Sequence, residues 1–154
     1  MRVEYINPFV EAAFDILKEV LGDDIQRGEL YLKSTSQAVM GVAAFVGLAG
    51  NVEGRVLFDM SMETALAIAS EMNGETLTVL DDLGKATITE LANMITAQAV
   101  TKLHDLGFTF DLTPPAIFTG ENMEITDNEV EALIVPVSVK QGKIEINVAV
   151  RERT

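Results

Sequence analysis

The stretch that most restricts the fold lies near the end of the chain, where Ile144, Ile146, Val148 and Val150 alternate with Glu145, Asn147, Ala149 and Arg151. A period of two puts the four aliphatic side chains on one face of an extended strand and the other four on the opposite face. Such a strand needs partner strands beside it and a layer over its apolar face, while the other face is expected to be mainly wet. The preceding Val130–Lys140 segment reads as a second strand, joined to the last across Gln141-Gly142. Pro136 inside it has no amide hydrogen, which assigns that strand to an edge or to a bulge.

Upstream, the period changes. Asn7 as N-cap and Pro8 at the first helical position predict a helix carrying Phe9, Ala13, Ile16, Leu17, Val20 and Leu21 inward, stopped by Gly22. Gly28–Leu32 and Val39–Leu48 read as strands, the latter in a hairpin with Arg55–Met60 across Asn51–Gly54. Ser61 caps a second helix that Asn73-Gly74 ends; Asp81 or Asp82 caps a third and longest one, running to about Asp105 with Gly107 as its stop. Phe108–Phe110 is brief and aromatic, Thr113-Pro114-Pro115 forms a fixed loop, and Ala116–Gly120 is extended. Helices and strands come in clusters, so the expected class is α+β: a mostly antiparallel sheet with helices packed on one face, in the order helix, strands, helices, strands. A chain of 154 residues predicts a single domain over 1–154.

Charge and composition remove several function classes. Eleven Lys and Arg stand against 24 Asp and Glu, a formal charge of -13 that repels phosphate backbones and anionic head groups, so neither nucleic acid nor membrane is an expected partner. With no cysteine and His104 as the one histidine, there is no thiol nucleophile and no His/Cys metal cluster to build. Glu121, Glu124, Asp127, Glu129 and Glu131 lack the order of a calcium loop and read as a solvated segment; the glycines at 41, 47, 50 and 54 do not spell a phosphate loop. The opening MRVEYINPFVEAAF has acids at Glu4 and Glu11, unlike a secretion leader, and the longest mostly apolar run, Ala38 to Ala49, is shorter than the roughly 20 residues a span requires. The expected location is the cytoplasm.

The third helix displays the candidate site. Advancing about 100° per residue puts Ile88, Leu91, Ala92, Ile95, Ala99, Leu103 and Leu106 on one broad arc, the expected core face. Glu90, Asn93, Ala86, Ala97 and Thr101 fall on the opposite side, with Met94 at its border either as a soft contact for a partner or half-buried against a neighbouring helix. Residues three apart are neighbours on a helix, so Glu90 and Asn93 can engage one ligand together. An amide holds a water through a donor and an acceptor, and a carboxylate takes a partner's lysine. His104 lies about 21 Å along the axis from Glu90, too far to share that water, and reads as a helix-end residue.

Thr89-Glu90-Leu91-Ala92-Asn93-Met94-Ile95, together with Tyr5-Ile6-Asn7-Pro8-Phe9 and the stretch from Gly107-Phe108 to Pro114-Pro115, resembles the chemotaxis phosphatases related to CheC, CheX and FliY, most closely the CheX type. The resemblance implies hydrolysis of the aspartyl phosphate on a CheY-type receiver domain. It assigns Asn93 to positioning the attacking water and Glu90 to contacting the receiver's lysine, with Ala86, Met94, Ala97 and Thr101 on the docking face. It implies no cofactor of the chain's own, Mg²⁺ in the receiver's site, one active face per chain and a homodimer joined through its sheets, with the terminal strand or the Pro136 strand at the joining edge. Two features depart from the wider signature: Ala86 stands where Asp or Ser is common, and Pro115 follows Asn93 one residue early. The alternative they leave open is a non-catalytic receiver- or motor-binding module of the same fold.

Overall fold

The structure is a computed structural model that describes residues 3–22, 24–33, 36–38, 40–126 and 132–152. The described elements are α1 (Val3–Leu21), β1 (Gln26–Arg27), β2 (Tyr31–Lys33), β3 (Ser36–Ala38), β4 (Gly41–Gly50), β5 (Val52–Ser61), α2 (Met62–Asn73), α3 (Asp82–Asp105), β6 (Phe110–Leu112), β7 (Ala116–Thr119), β8 (Glu124–Thr126), β9 (Ala132–Val139) and β10 (Gly142–Glu152). Eight strands form one antiparallel sheet in the order β1-β9-β10-β5-β4-β6, with β2 also on β9 and β7 also on β4. β3 and β8 pair separately. This is the expected α+β architecture.

The three helices share one core with one face of the sheet. Phe9, Leu17, Ile68, Ile88, Ile95 and Leu103 from the helices pack with Val56, Phe58, Met60, Ile144, Ile146 and Val148 from the central strands. The alternating aliphatic residues of β10 all belong to this face, so the strand pattern and the helical stripe meet where each predicts the other.

The terminal strand is interior: β10 lies between β9 and β5, which removes it as one of the two candidates for the joining edge. The opposite face is also drier than expected, for Asn147 and Ala149 are 2% and 1% exposed. Ala149 packs with Ala132 and Ile134 in a second small cluster, and Arg55 donates to Asn147. β9 is likewise flanked on both sides and keeps unbroken register with β10 through Pro136, which corrects both the edge and the bulge expected there; the irregularity lies instead in its outer neighbour. The Pro136 carbonyl accepts from the Gly28 amide at 2.9 Å, and β1 and β2 leave a gap opposite it at residues 28–30. The missing proline donor therefore faces an interrupted neighbour rather than a continuous ladder.

Other boundaries shift for local reasons. α1 begins at Val3, so Asn7 is not its cap and Pro8 lies inside it. Tyr5 accounts for the earlier start: it is buried, stacks edge-on against Phe108 and Phe110, and donates to Glu152 at 2.9 Å. Gly54, expected in the hairpin turn, sits inside β5, where a Cβ would lie 2.0 Å from the Ala149 carbonyl oxygen. Leu106 follows the last helical residue and is 61% exposed, outside the core face it was assigned to. No described helix is long and apolar enough to cross a membrane.

Candidate functional site

α3 is built to be held on its flanks and left clear on its outer face. Asp81 caps it by accepting from the Gly84 amide at 2.9 Å, and the helix runs 24 residues. Gly84 is closely packed: a Cβ there would come within 2.9 Å of Leu80 Cδ1, and Leu80 is buried against the first turn. Asn73 at the end of α2 donates to Thr87 Oγ1 at 2.8 Å. On the other flank, Lys102 lies 3.6 Å from Glu11 and 3.7 Å from Asp15 of α1, and Gln98 donates to Asp15 at 3.1 Å.

Beneath the middle of α3, Ile88, Leu91, Ala92 and Ile95 close on Leu17, Phe58, Met60, Ile144 and Ile146 around a void of only about 10 Å³. Thr96 is wholly buried and donates to the carbonyls of Ala92 at 2.9 Å and Asn93 at 3.2 Å. The turn carrying the candidate residues thus stands on close-packed side chains, which resist displacement.

On the outer side, Glu90, Ala86, Ala97 and Thr101 are exposed, and Asn93 and Met94 are half-buried. Met94 leans on the core. Thr89 and Thr101 turn their hydroxyls back to the helix, donating to Ala86 and Ala97 carbonyls at 2.9 and 3.0 Å. Among the described residues, the side chains of Glu90 and Asn93 have no hydrogen-bond or ion-pair partner. A carboxylate and an amide therefore face outward with free polar atoms, bracketed by methyl groups that admit a close-packed surface. His104 lies at the helix end, its Nε2 3.3 Å from the Phe110 carbonyl oxygen and 3.4 Å from the Phe110 nitrogen.

Spacing alone does not single out this turn, a point the sequence reading missed. Glu4 and Asn7 on α1 are also three apart and exposed. Seven and eleven residues beyond Glu4, however, come Glu11 and Asp15, charged side chains tied to Lys102. The same offsets from Glu90 reach Ala97 and Thr101. Small neighbours distinguish the α3 pair, and they were readable in the sequence once both pairs were compared.

Of the acidic run, Glu121 and Glu124 are exposed, while Asp127, Glu129 and Glu131 lie outside the described residues. No three His, Cys, Asp or Glu among the described residues gather to hold a metal.

The fold and its outer helix face define an α+β layer that presents an amide and a carboxylate outward, without described side-chain partners. The chain matches the family described as chemotaxis phosphatase CheX over residues 42–138 and belongs to that family. It is 30% identical over 140 residues to the CheY-P phosphatase CheX of Thermotoga maritima, covering 90% of each chain. The crystal structure of a CheX-CheY-BeF3-Mg²⁺ complex from Borrelia burgdorferi has a chain 47% identical to this one, with a TM-score of 0.86 and coverage of 98% and 100%. A CheC-like superfamily protein from Shewanella sp. PV-4 superposes with a TM-score of 0.89 at 27% identity, covering 98% and 99%.

Proposed function

We propose that this chain hydrolyses the aspartyl phosphate of a CheY-type receiver domain, with Asn93 positioning the attacking water and Glu90 pairing with the receiver's lysine. The observation that carries this reading is the unpartnered Glu90–Asn93 pair on the outer stripe of α3. Its family membership and a 47% identical relative crystallised with CheY, BeF3 and Mg²⁺ support the choice of partner.

The chemistry asked of the two residues is small. Water oxygen attacks phosphorus, the bond from phosphorus to the aspartyl oxygen breaks, its electron pair returns to the carboxylate, and a water proton leaves to solvent. An acyl phosphate is already labile, and Mg²⁺ in the receiver's own site steadies the phosphoryl charge, so fixing the water's position supplies the remaining acceleration. Asn93 needs no proton of its own to do this, since its amide both donates and accepts. Ala86 and Ala97 let the receiver approach, and Met94 and Thr101 extend the contact.

In this reading residues 1–154 act as one domain, in the cytoplasm with the receiver, and two copies associate as a dimer. The described sheet ends on β1 and β2 at one side and on β6 and β7 at the other, and such pairing would use one of these edges; Tyr31 and Leu32 of β2 and Phe118 of β7 are exposed. The test is loss of phosphate from a radiolabelled CheY-type receiver with and without the protein. Catalytic acceleration that disappears in Asn93→Ala is expected; binding without acceleration would overturn the enzymatic reading in favour of a receiver-binding module.

A further inference from the structure

Seven residues before Glu90, nearly two full turns, α3 places Leu83 on the same outer stripe. Leu83 is 46% exposed and Val79, just ahead of the Asp81 cap, is 68% exposed. Leu80 is buried against Gly84, Val79 just before it is exposed, and Leu83 falls on the exposed side of the first turn of α3 by helical period. The opposite end of the stripe is different in kind: Ala97 is a bare methyl and Thr101 has its hydroxyl turned back on the helix.

We infer that Leu83 and Val79 form an apolar foothold for the receiver and fix the direction in which α3 lies across it. This rests on the phosphatase reading above. The polar contacts of the helix, Glu90 and Asn93, stand one turn apart and constrain rotation poorly, and the small side chains of Ala86 and Ala97 beside them give the receiver little to grip. From Leu83 to Thr101 the stripe extends about 27 Å at 1.5 Å per residue. A footprint of about 800 Å² per partner, ordinary for a specific complex, is a disc about 32 Å across and covers that length. The contact that follows from the chemistry is an apolar side-chain patch on the receiver, beside its phosphorylation site on the side facing the start of α3. Placed there, the patch leaves only one polarity of docking in which Asn93 reaches the phosphoryl group.

The experiment measures, for the parent protein and for Leu83→Gln, Leu83→Met, Val79→Ser and Asn93→Ala, both affinity for a CheY-type receiver held in its beryllofluoride-Mg²⁺ form and turnover of the phosphorylated receiver. For Leu83→Gln the expected result is affinity about tenfold weaker and a half-saturating receiver concentration raised to match, with turnover at saturation within about twofold of the parent. Leu83→Met restores the apolar surface and should keep parental affinity, and Val79→Ser should weaken binding without entering the helix. Asn93→Ala is the contrasting case, retaining affinity and losing turnover. A parent protein that neither binds nor dephosphorylates the receiver would overturn the phosphatase reading and this inference with it. An active parent with parental affinity in both Leu83→Gln and Val79→Ser would overturn the foothold alone.

Discussion

Arg55 Nη1 donates to Asn147 Oδ1 at 2.5 Å across two neighbouring strands, and to the Asn147 carbonyl at 3.1 Å, with both residues buried. This arrangement turns what alternation alone marks as a solvent-facing row of β10 into an interior one. Truncating Asn147 removes an acceptor from a buried guanidinium and leaves that charge less well satisfied. Asn147→Ala is therefore expected to cost about 2 kcal/mol, in the range for hydrogen bonds to charged groups. In a chain of this length that lowers the melting temperature by about 4–8 °C. Calorimetry of the purified variant checks it, and an unchanged midpoint would show that the pair contributes nothing net.

Asn93 and Glu90 make separable demands. If Asn93 acts only by placing a water, Asn93→Ala lowers turnover about 100-fold, the usual cost of losing alignment in a reaction that depends on it, and leaves receiver affinity almost unaltered. Glu90→Lys acts on association, because it sets like charge against the receiver's lysine. Equilibrium binding and single-turnover dephosphorylation, run in parallel, separate the two. Equal loss of affinity in both variants would mean that the pair is a docking contact without a catalytic member.

Much of the architecture was legible because it is locally encoded. The caps at Ser61 and Asp81 and the left-handed stop at Gly74 need only their own turn, and each lies where its residue type indicated. Contacts between distant residues were not legible. Tyr5 draws the start of α1 forward by stacking on Phe108 and Phe110, and nothing within the first ten residues announces those partners. Leu106 keeps helical period but follows the end of α3, so its period continues without a core to meet. For the site, periodicity correctly sorted the inner from the outer stripe of α3. The same period puts Leu83, seven residues before Glu90, on the outer stripe, although the stripe as read from the sequence begins at Ala86 and omits it.

Tyr31 provides a test at high pH. Its hydroxyl donates to Glu145 Oε2 at 3.0 Å. Partial desolvation of the hydroxyl on an otherwise exposed ring first, then this hydrogen bond and the charge of Glu145, raise the phenol from its ordinary 10.0 to about 12. The folded state favours the protonated form, so the bond's contribution to stability is intact below pH 10 and is lost as the pH climbs from there through about 12. Tyr5 is the other tyrosine, so the difference between absorbance titrations of the parent and Tyr31→Phe isolates the Tyr31 midpoint. Glu145→Gln should lower that midpoint, and a parental midpoint near 10 would contradict the arrangement.

Ala97 offers the sharpest test of the docking face, because it is exposed and takes no part in the core. It lies seven residues beyond Glu90, on the same stripe as the pair, and its carbonyl accepts from Thr101 through the backbone alone. Ala97→Arg leaves that bond in place and adds a long side chain on the solvent side, so stability should change by no more than about 0.5 kcal/mol. A receiver lying flat on the stripe would then be lifted from the helix. Since Asn93 has to reach the phosphoryl group, a displacement of about 1 Å is already costly, and dephosphorylation should fall at least about tenfold. Thermal melting and receiver dephosphorylation on the same preparation decide the matter. Unchanged kinetics in a folded Ala97→Arg protein would move the docking face off this side of α3, whereas loss of both activity and fold would show that Ala97 has a packing role its exposure does not suggest.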